Sequence, residues 1–354
     1  MAAAGEQQEV ALHVVASSEA VLQEFKQRFE PADGFSCRLT FHDPSAPHPP
    51  PPPGGLNAGA FAAALATRQM GRLLLATPSI ASTQEFMRRH SAVLPEGAVL
   101  VADRQTSGKG RGGNQWTSPD GCLMFTAARR LTIPGSQAPF INYLVCLAVV
   151  RGAADAAAQW LQGADPDVRI KWPNDIYSGG LKIGGALIHT TFQGGSFGVL
   201  AGIGLNVANR APTTCLEEVV ARQAAPGGGG GGVRLPRGAV LAHVLNHLER
   251  CYDEFEARGF PPLEGAYLAS WMHSGQQVEL EEGAVLAATP EARAAAAAAP
   301  PAAPGGGRVR LTIRGLSANG FLLAEDAAGG QWELTPDGNS LDMLVGLIRR
   351  KLSG

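Results

Sequence analysis

The sequence predicts an α+β fold in which a mixed or antiparallel sheet carries helices and is followed by a small β-barrel or meander. Three observations predict it. Strand-like segments cluster with few helices between them, which argues against repeated βαβ units. Two long strand-like runs meet at Gly194-Gly195, a two-glycine hairpin turn. Residues 273–354 carry only short alternating apolar and polar segments.

A chain of 354 residues at about 150 per domain suggests two or three domains. Residues 1–70 read as an N-terminal extension with a strand at Val10–Val15 and a helix over Val21–Phe29. Residues 71–272 form the main block. It opens with a strand (Arg72–Ala76), a helix (Thr83–His90) and a strand (Ala98–Ala102). A long glycine-rich loop leads to the strand Leu123–Ala127, and a helix at Ile141–Leu161 precedes the strand Val168–Trp172. Strands at Lys182–Thr191 and Phe197–Leu205 follow. In the helix Gly238–Ala257, Leu241, Val244, Leu245, Leu248, Tyr252 and Phe255 make the buried stripe. His243, His247, Arg250 and Glu254 then fall on the solvated face, and the histidine pair lacks the glutamate of an HExxH zinc motif. Residues 273–354 supply the strands Arg308–Arg314, Gly320–Ala324 and Gln331–Leu334. Three low-complexity tracts are expected to be loops: Pro49–Pro53 with Gly54 and Gly55, Gly227–Gly232, and an insertion near 288–307 built on Ala294–Ala299.

Charge and cysteine usage remove several function classes. Lys and Arg number 29 against 31 Asp and Glu, a net charge of −2, so nothing drives nonspecific nucleic-acid binding. The five cysteines form no CxxC pair, which disfavours a zinc site or a disulfide framework and leaves no metal ligands to assign. No apolar run reads as approaching the ~20 residues that span a bilayer, so no membrane partner is expected. The start, MAAAGEQQEV, has acidic residues and no early Lys or Arg, unlike a signal or transit peptide. The cytosol is the default compartment, with a plastid or a mitochondrion left open.

Four segments carry chemistry. Gly108, Gly110, Gly112 and Gly113 surround Lys109 and Arg111, so bare amides and two cations sit in one loop, an anion cradle. Its spacing fits neither a GxGxxG fingerprint nor a Walker loop. At Lys171-Trp172-Pro173-Asn174-Asp175 a strand stops at proline and presents an amide and a carboxylate. Lys182 opens a strand followed by Gly184-Gly185, and Gly202-Ile203-Gly204-Leu205-Asn206 ends another strand with an amide.

In order and spacing these strings resemble the biotin–protein ligases, and the match is close to the eukaryotic holocarboxylase synthetase type. The resemblance rests on GKGRGGNQW (Gly108–Trp116), KWPNDIY (Lys171–Tyr177), KIGGALI (Lys182–Ile188) and GIGLNV (Gly202–Val207). Ser82-Thr83-Gln84, NRAPTTCL (Asn209–Leu216) and WELTPDGNSLDMLVGLIRRK (Trp332–Lys351) extend it over roughly residues 71–354.

The resemblance implies a catalytic domain like that of class II aminoacyl-tRNA synthetases and a C-terminal barrel of the Src-homology type. It implies an ATP-dependent, AMP-forming ligase. Biotin and ATP, with Mg2+, give biotinyl-5′-AMP, and the biotinyl group passes to one lysine of a carrier domain in a biotin-dependent carboxylase. Arg111, Lys182, Lys171 and Asp175 are the implied catalytic residues. Biotin falls to Ser82, Thr83, Gln84, Gln105, Lys109, Gly110, Arg111, Trp116, Lys182, Gly184 and Gly185. ATP falls to Gly108, Lys109, Arg111, Lys171, Asn174 and Asn206. Asp175 is open between orienting Arg111, orienting Lys182, and assisting a metal or the acceptor lysine. Residues 1–70 show no helix-turn-helix pattern, so the DNA binding of some bacterial members is not expected. The alternatives are a lipoate–protein ligase and a non-catalytic module that binds biotin or carrier domains.

Overall fold

The computed structural model describes residues 8–51, 54–224, 232–281, 308–334, 339–342 and 347–350. Most of the Gly227–Gly232 run and the whole Ala294–Ala299 tract, with the rest of the insertion near 288–307, lie outside the described residues.

The chain begins with β1 (Gln8–Ala16), α1 (Glu19–Arg28), β2 (Phe35–Phe41) and α2 (Ala58–Ala64). It continues through β3 (Leu73–Ile80), α3 (Thr83–Arg89), β4 (Val99–Gln105) and β5 (Cys122–Leu131) to the long helix α4 (Ile141–Leu161). Next come β6 (Arg169–Lys171), β7 (Asp175–Ser178), β8 (Leu181–Gln193) and β9 (Ser196–Asn206). Helices α5 (Leu216–Gln223), α6 (Arg237–Arg258) and α7 (Pro261–Ser270) close this part. Nine strands form one sheet in the order β2-β1-β3-β4-β5-β9-β8-β7-β6. Two pairs are parallel, β1 with β2 and β3 with β4, and the other pairs are antiparallel. The sheet is therefore mixed, as its strand spacing predicts. Gly194 and Gly195, at φ +60° and +80°, make the turn from β8 to β9, a backbone that other residues rarely adopt.

The first seventy residues are not set apart from this sheet. β1 lies against β3, and Val10, Leu12, Val14, Leu22 and Phe25 share a core with Leu73, Leu75, Phe86 and Met87. Phe86 and Met87 belong to α3, so the N-terminal segment backs the helix that opens with Ser82, Thr83 and Gln84. Polar contacts tie the segment to α6 as well. Glu249 accepts the backbone N–H groups of Arg68, Gln69 and Met70, and Asn246 bonds Ala66 N–H and Ala64 carbonyl.

Helix α4 corrects the reading of apolar runs. By length and composition Gly135–Leu161 could cross a bilayer, because alanines and aliphatics surround it. Most of it is buried inside the protein, so it is the core helix of the main cluster. It packs on α6 at Gly152, where a Cβ would stand 2.6 Å from Val244 backbone. The apolar stripe of α6 is buried as its 3.6-residue period predicts. His247 departs from expectation: it turns against Asp155 of α4 at 2.8 Å instead of into water.

The last part holds β10 (Gln277–Glu281), β11 (Arg308–Leu316), β12 (Leu322–Asp326), β13 (Gln331–Leu334), β14 (Asn339–Asp342) and β15 (Leu347–Arg350). They form a second sheet in the order β13-β12-β11-β10-β15-β14. Two side chains join it to the first sheet at the Trp172 corner. Trp172 donates its backbone N–H to His273 Nε2 at 2.8 Å, and its indole N–H to Tyr143 Oη at 2.8 Å, while Tyr143 donates to Gly320 carbonyl. Burial pushes the His273 imidazole down to about 4, so it stays a neutral acceptor.

Candidate active site

A cavity of about 160 Å³ opens between the N-terminal turn of α3, the 106–116 loop, and strands β8 and β9. Ser82 caps α3, accepting from Glu85 N–H three residues on, which fixes where Thr83 and Gln84 point. Thr83 gives both its backbone N–H (2.8 Å) and its hydroxyl (3.1 Å) to Gln105 Oε1, and that hydroxyl also meets Thr126 Oγ1 at 2.9 Å. The Gln105 side chain is thus held by its oxygen, with Nε2 toward Gly108. Gln84 turns into the sheet, and its Nε2 donates to Leu187 carbonyl at 2.7 Å.

The loop folds back on itself. Gly110 N–H bonds Asn114 carbonyl at 2.7 Å and Trp116 N–H bonds Gly108 carbonyl at 2.9 Å. Left-handed backbone at Gly112 and Gly113 (φ +64° and +81°) turns the tip, which only glycine adopts at low cost. This geometry brings Lys109, Gly110 and Arg111 to the cavity wall. Arg111 donates to Asn174 Oδ1 at 3.2 Å, and Asn174 in turn donates to Ala186 carbonyl at 2.8 Å. Asp175 meets Lys182, Nζ to Oδ1 2.6 Å, one of the partners that the sequence left open. Gly185 makes room for this pair: a Cβ there would stand 3.2 Å from Asp175 Oδ1.

Trp116 lies flat against β9, where a Cβ on Gly204 would sit 2.6 Å from its ring. Lys182 Nζ is 6.0 Å from the centre of the same ring. Beneath, burial pushes the Cys122 thiol up to about 12, which keeps it protonated and unreactive.

The cavity wall thus collects Ser82, Thr83, Gln84, Gln105, Lys109, Gly110, Arg111, Trp116, Asn174, Asp175, Lys182 and Gly185. Four expected residues stand off it. Lys171 lies over the Tyr177 ring at 5.3 Å, and Asn206 is buried against Thr213 Oγ1 and Thr214 carbonyl. Gly108 packs under the Trp116 backbone and Gly184 under Gly204 carbonyl. Sequence reasoning missed Thr126, and it singled out Gly202 and Gly204 without giving them a role; residues two apart on a strand share a face, which is the signal for one.

The biotin/lipoate A/B protein ligase family matches residues 76–206, the stretch that holds the cavity. Biotin–protein ligase 2 of Arabidopsis thaliana is 37% identical over 84% of this chain and 82% of its own length. The chain belongs to the biotin–protein ligase family. A second Arabidopsis relative, biotin–protein ligase 1, named chloroplastic, is 36% identical over 84% of this chain and 74% of its own. The family's fold is shared with a biotin protein ligase from Aquifex aeolicus solved with biotin and ATP. That likeness has a TM-score of 0.51 at 23% identity, over 78% of this chain and 99% of the other.

Proposed function

We propose that the cavity between α3, the glycine loop and β8–β9 is where this biotin–protein ligase joins biotin to ATP and then passes biotin to a carrier lysine. The observation that carries the reading is the convergence of Lys109, Arg111 and Lys182 on one cavity that also holds Thr83 and Gln105. Two unit negative charges about 4 Å apart repel by about 4 kcal/mol at an effective dielectric of 20. A biotin carboxylate and an ATP α-phosphate meet under that repulsion, and three converging cations offset it.

In the first step a carboxylate oxygen attacks the α-phosphorus. The new bond forms as the α–β bridging P–O bond breaks and pyrophosphate leaves. Lys182, steadied by Asp175, meets the carboxylate as a point charge, and Arg111 spans carboxylate and phosphate with its planar fork. Lys109 adds charge from the same loop. Mg2+ enters with the triphosphate as part of the substrate. Thr83 and Gln105 address the polar ureido ring, with Ser82, Gln84 and Gly110 beside them. Trp116, Phe125 and Ile203 offer the apolar ring and chain a dry wall. Asn174 steadies Arg111 on the nucleotide side. Lys171 and Asn206 serve the nucleotide from behind the wall, and Gly108 and Gly184 let that wall close. In the second step a neutral acceptor amine attacks the acyl carbon, the acyl C–O bond breaks, AMP leaves, and the amine gives up a proton.

Residues 71–272 are read as the catalytic unit and 273–354 as a Src-homology-type barrel, with residues 1–70 serving to extend and back the catalytic sheet. The acceptor is a carrier domain of a biotin-dependent carboxylase, and the compartment is the cytosol. Incubation with biotin, MgATP and a carrier domain, followed by intact mass, tests the reading. A gain equal to biotin less water is expected. No gain, or a gain with lipoate in place of biotin, overturns it.

A further inference from the structure

The antiparallel ladder between β4 and β5 runs from Val99 opposite Ala127 to Ala102 opposite Met124, and then stops. Beyond that last rung the two strands become the stems of the 106–121 segment, which carries Lys109, Arg111 and Trp116. The next rung is supplied by a side chain from elsewhere. Arg237, the first residue of α6, is only 8% exposed. Its Nη1 donates to Cys122 carbonyl at 2.8 Å, on the β5 stem. Its Nη2 donates to Asp103 Oδ1 at 2.7 Å, on the β4 stem two residues before Gln105. The same Nη2 also bonds Gly54 carbonyl, in the N-terminal segment.

We infer that Arg237 is a positioning residue for the ligand loop: its guanidinium bridges the two loop stems where the ladder ends and ties them to α6 and the N-terminal segment. Three properties of the site support this. A planar fork alone reaches two stems in fixed directions, which a lysine ammonium does not. A guanidinium so buried needs every partner it has, since removing one leaves charge uncompensated. The stems converge on groups that line or support the cavity. Gln105 follows Asp103 on β4, and Cys122, first residue of β5, lies under Trp116 and donates its thiol to Leu205 carbonyl at 3.4 Å. Splayed stems would therefore displace Gln105, Trp116 and the two loop cations together. The helix α6 is in turn held by α4, which makes it a firm post for the bridge.

The consequence rests on the function proposed above, because the loop's closure matters to an adenylate held beneath it. The test has one arm that needs no substrate. In the full-length protein, Arg237→Lys is compared with Asn246→Ala, which cuts another tie between α6 and the N-terminal segment without touching either stem. Limited trypsin digestion after Lys109 and Arg111 is expected to be several-fold faster in Arg237→Lys and unchanged in Asn246→Ala at matched melting temperature. The second arm measures dissociation of biotinyl-adenylate, expected to quicken about tenfold in Arg237→Lys alone, the change that a loss of about 1.4 kcal/mol of binding produces. Should Arg237→Lys not fold, Asp103→Asn removes one stem's charge with little change of shape, and both readouts are expected to move the same way. Equal loop cleavage in wild type and in whichever of these two variants folds, or equal effects of Arg237→Lys and Asn246→Ala, overturns the inference. A wild-type protein that makes no adenylate, with the cleavage difference intact, would instead remove the proposed function and leave the bridge standing.

Discussion

The strand side of the cavity and its loop side are built on opposite rules. On the strand side Gly185, Gly202 and Gly204 each stand where a Cβ would press on a neighbour: Asp175, Gln84 and Trp116 respectively. Shape is set there by what is missing. On the loop side Gly112 and Gly113 adopt left-handed backbone, and the wall is formed by the charged side chains of Lys109 and Arg111 just before them. On the function proposed above, the strand side fixes where a ligand fits, and the loop side brings the charge that offsets two anions. Lys182 is the exception that joins them, a cation rooted in β8 and facing the loop.

That exception gives the largest expected effect. Lys182→Ala should lower biotin-dependent ATP–pyrophosphate exchange by about 10²–10³-fold, the usual loss when one charge-stabilising donor goes. The Lys182 side chain is 40% exposed, so melting temperature should hardly change. Exchange within tenfold of wild type would mean that the loop cations suffice without the strand side.

Away from both sides, the Trp172 corner carries a pH dependence through His273. Burial lowers the His273 imidazole from 6.5 to about 4, so the folded state resists a proton that the unfolded chain takes up. Stability is full above pH 6.5 and falls as pH drops toward 4, by about 3 kcal/mol at about 1.4 kcal/mol per pH unit. Denaturant titrations at several pH values should show this slope, and His273→Gln should flatten it. An unchanged slope would detach His273 from the Trp172 corner.

Arg111→Gly removes a charged hydrogen-bond donor worth about 1.5–3 kcal/mol, so the adenylate should escape about 10- to 100-fold faster and label bystander lysines. Retention equal to wild type would shift the sheltering role from loop to strands. Smallest is Gly204→Ala, in which a methyl meets the Trp116 ring at 2.6 Å. Overpacking of this kind costs about 1–3 kcal/mol, and calorimetry should find it in biotin affinity. Unaltered affinity would show that the ring yields freely.

Much of this was legible in the sequence because the loop and corner residues are chosen for chemistry that few other strings satisfy. The pairing of Asp175 with Lys182 was not, since Arg111, Lys182, a metal and the acceptor lysine all suited a carboxylate at that position. The mixed sheet followed from strand spacing, but β2 and α2 were missed, one with a weak burial pattern and the other made mostly of alanine. Reading α4 for bilayer-spanning length failed for a similar reason. Alanine-rich apolar sequence looks alike in a membrane and in the centre of a large core.

The placement of β1 has a practical consequence. It covers the free edge of β3, which would otherwise present bare amides and carbonyls to any strand that drifts past. A version trimmed to the residues that hold the recognisable strings would keep every reactive group and still gain a sticky border. Such a trimmed enzyme should disappoint first in the centrifuge, as pelleted protein, and only afterwards in the assay.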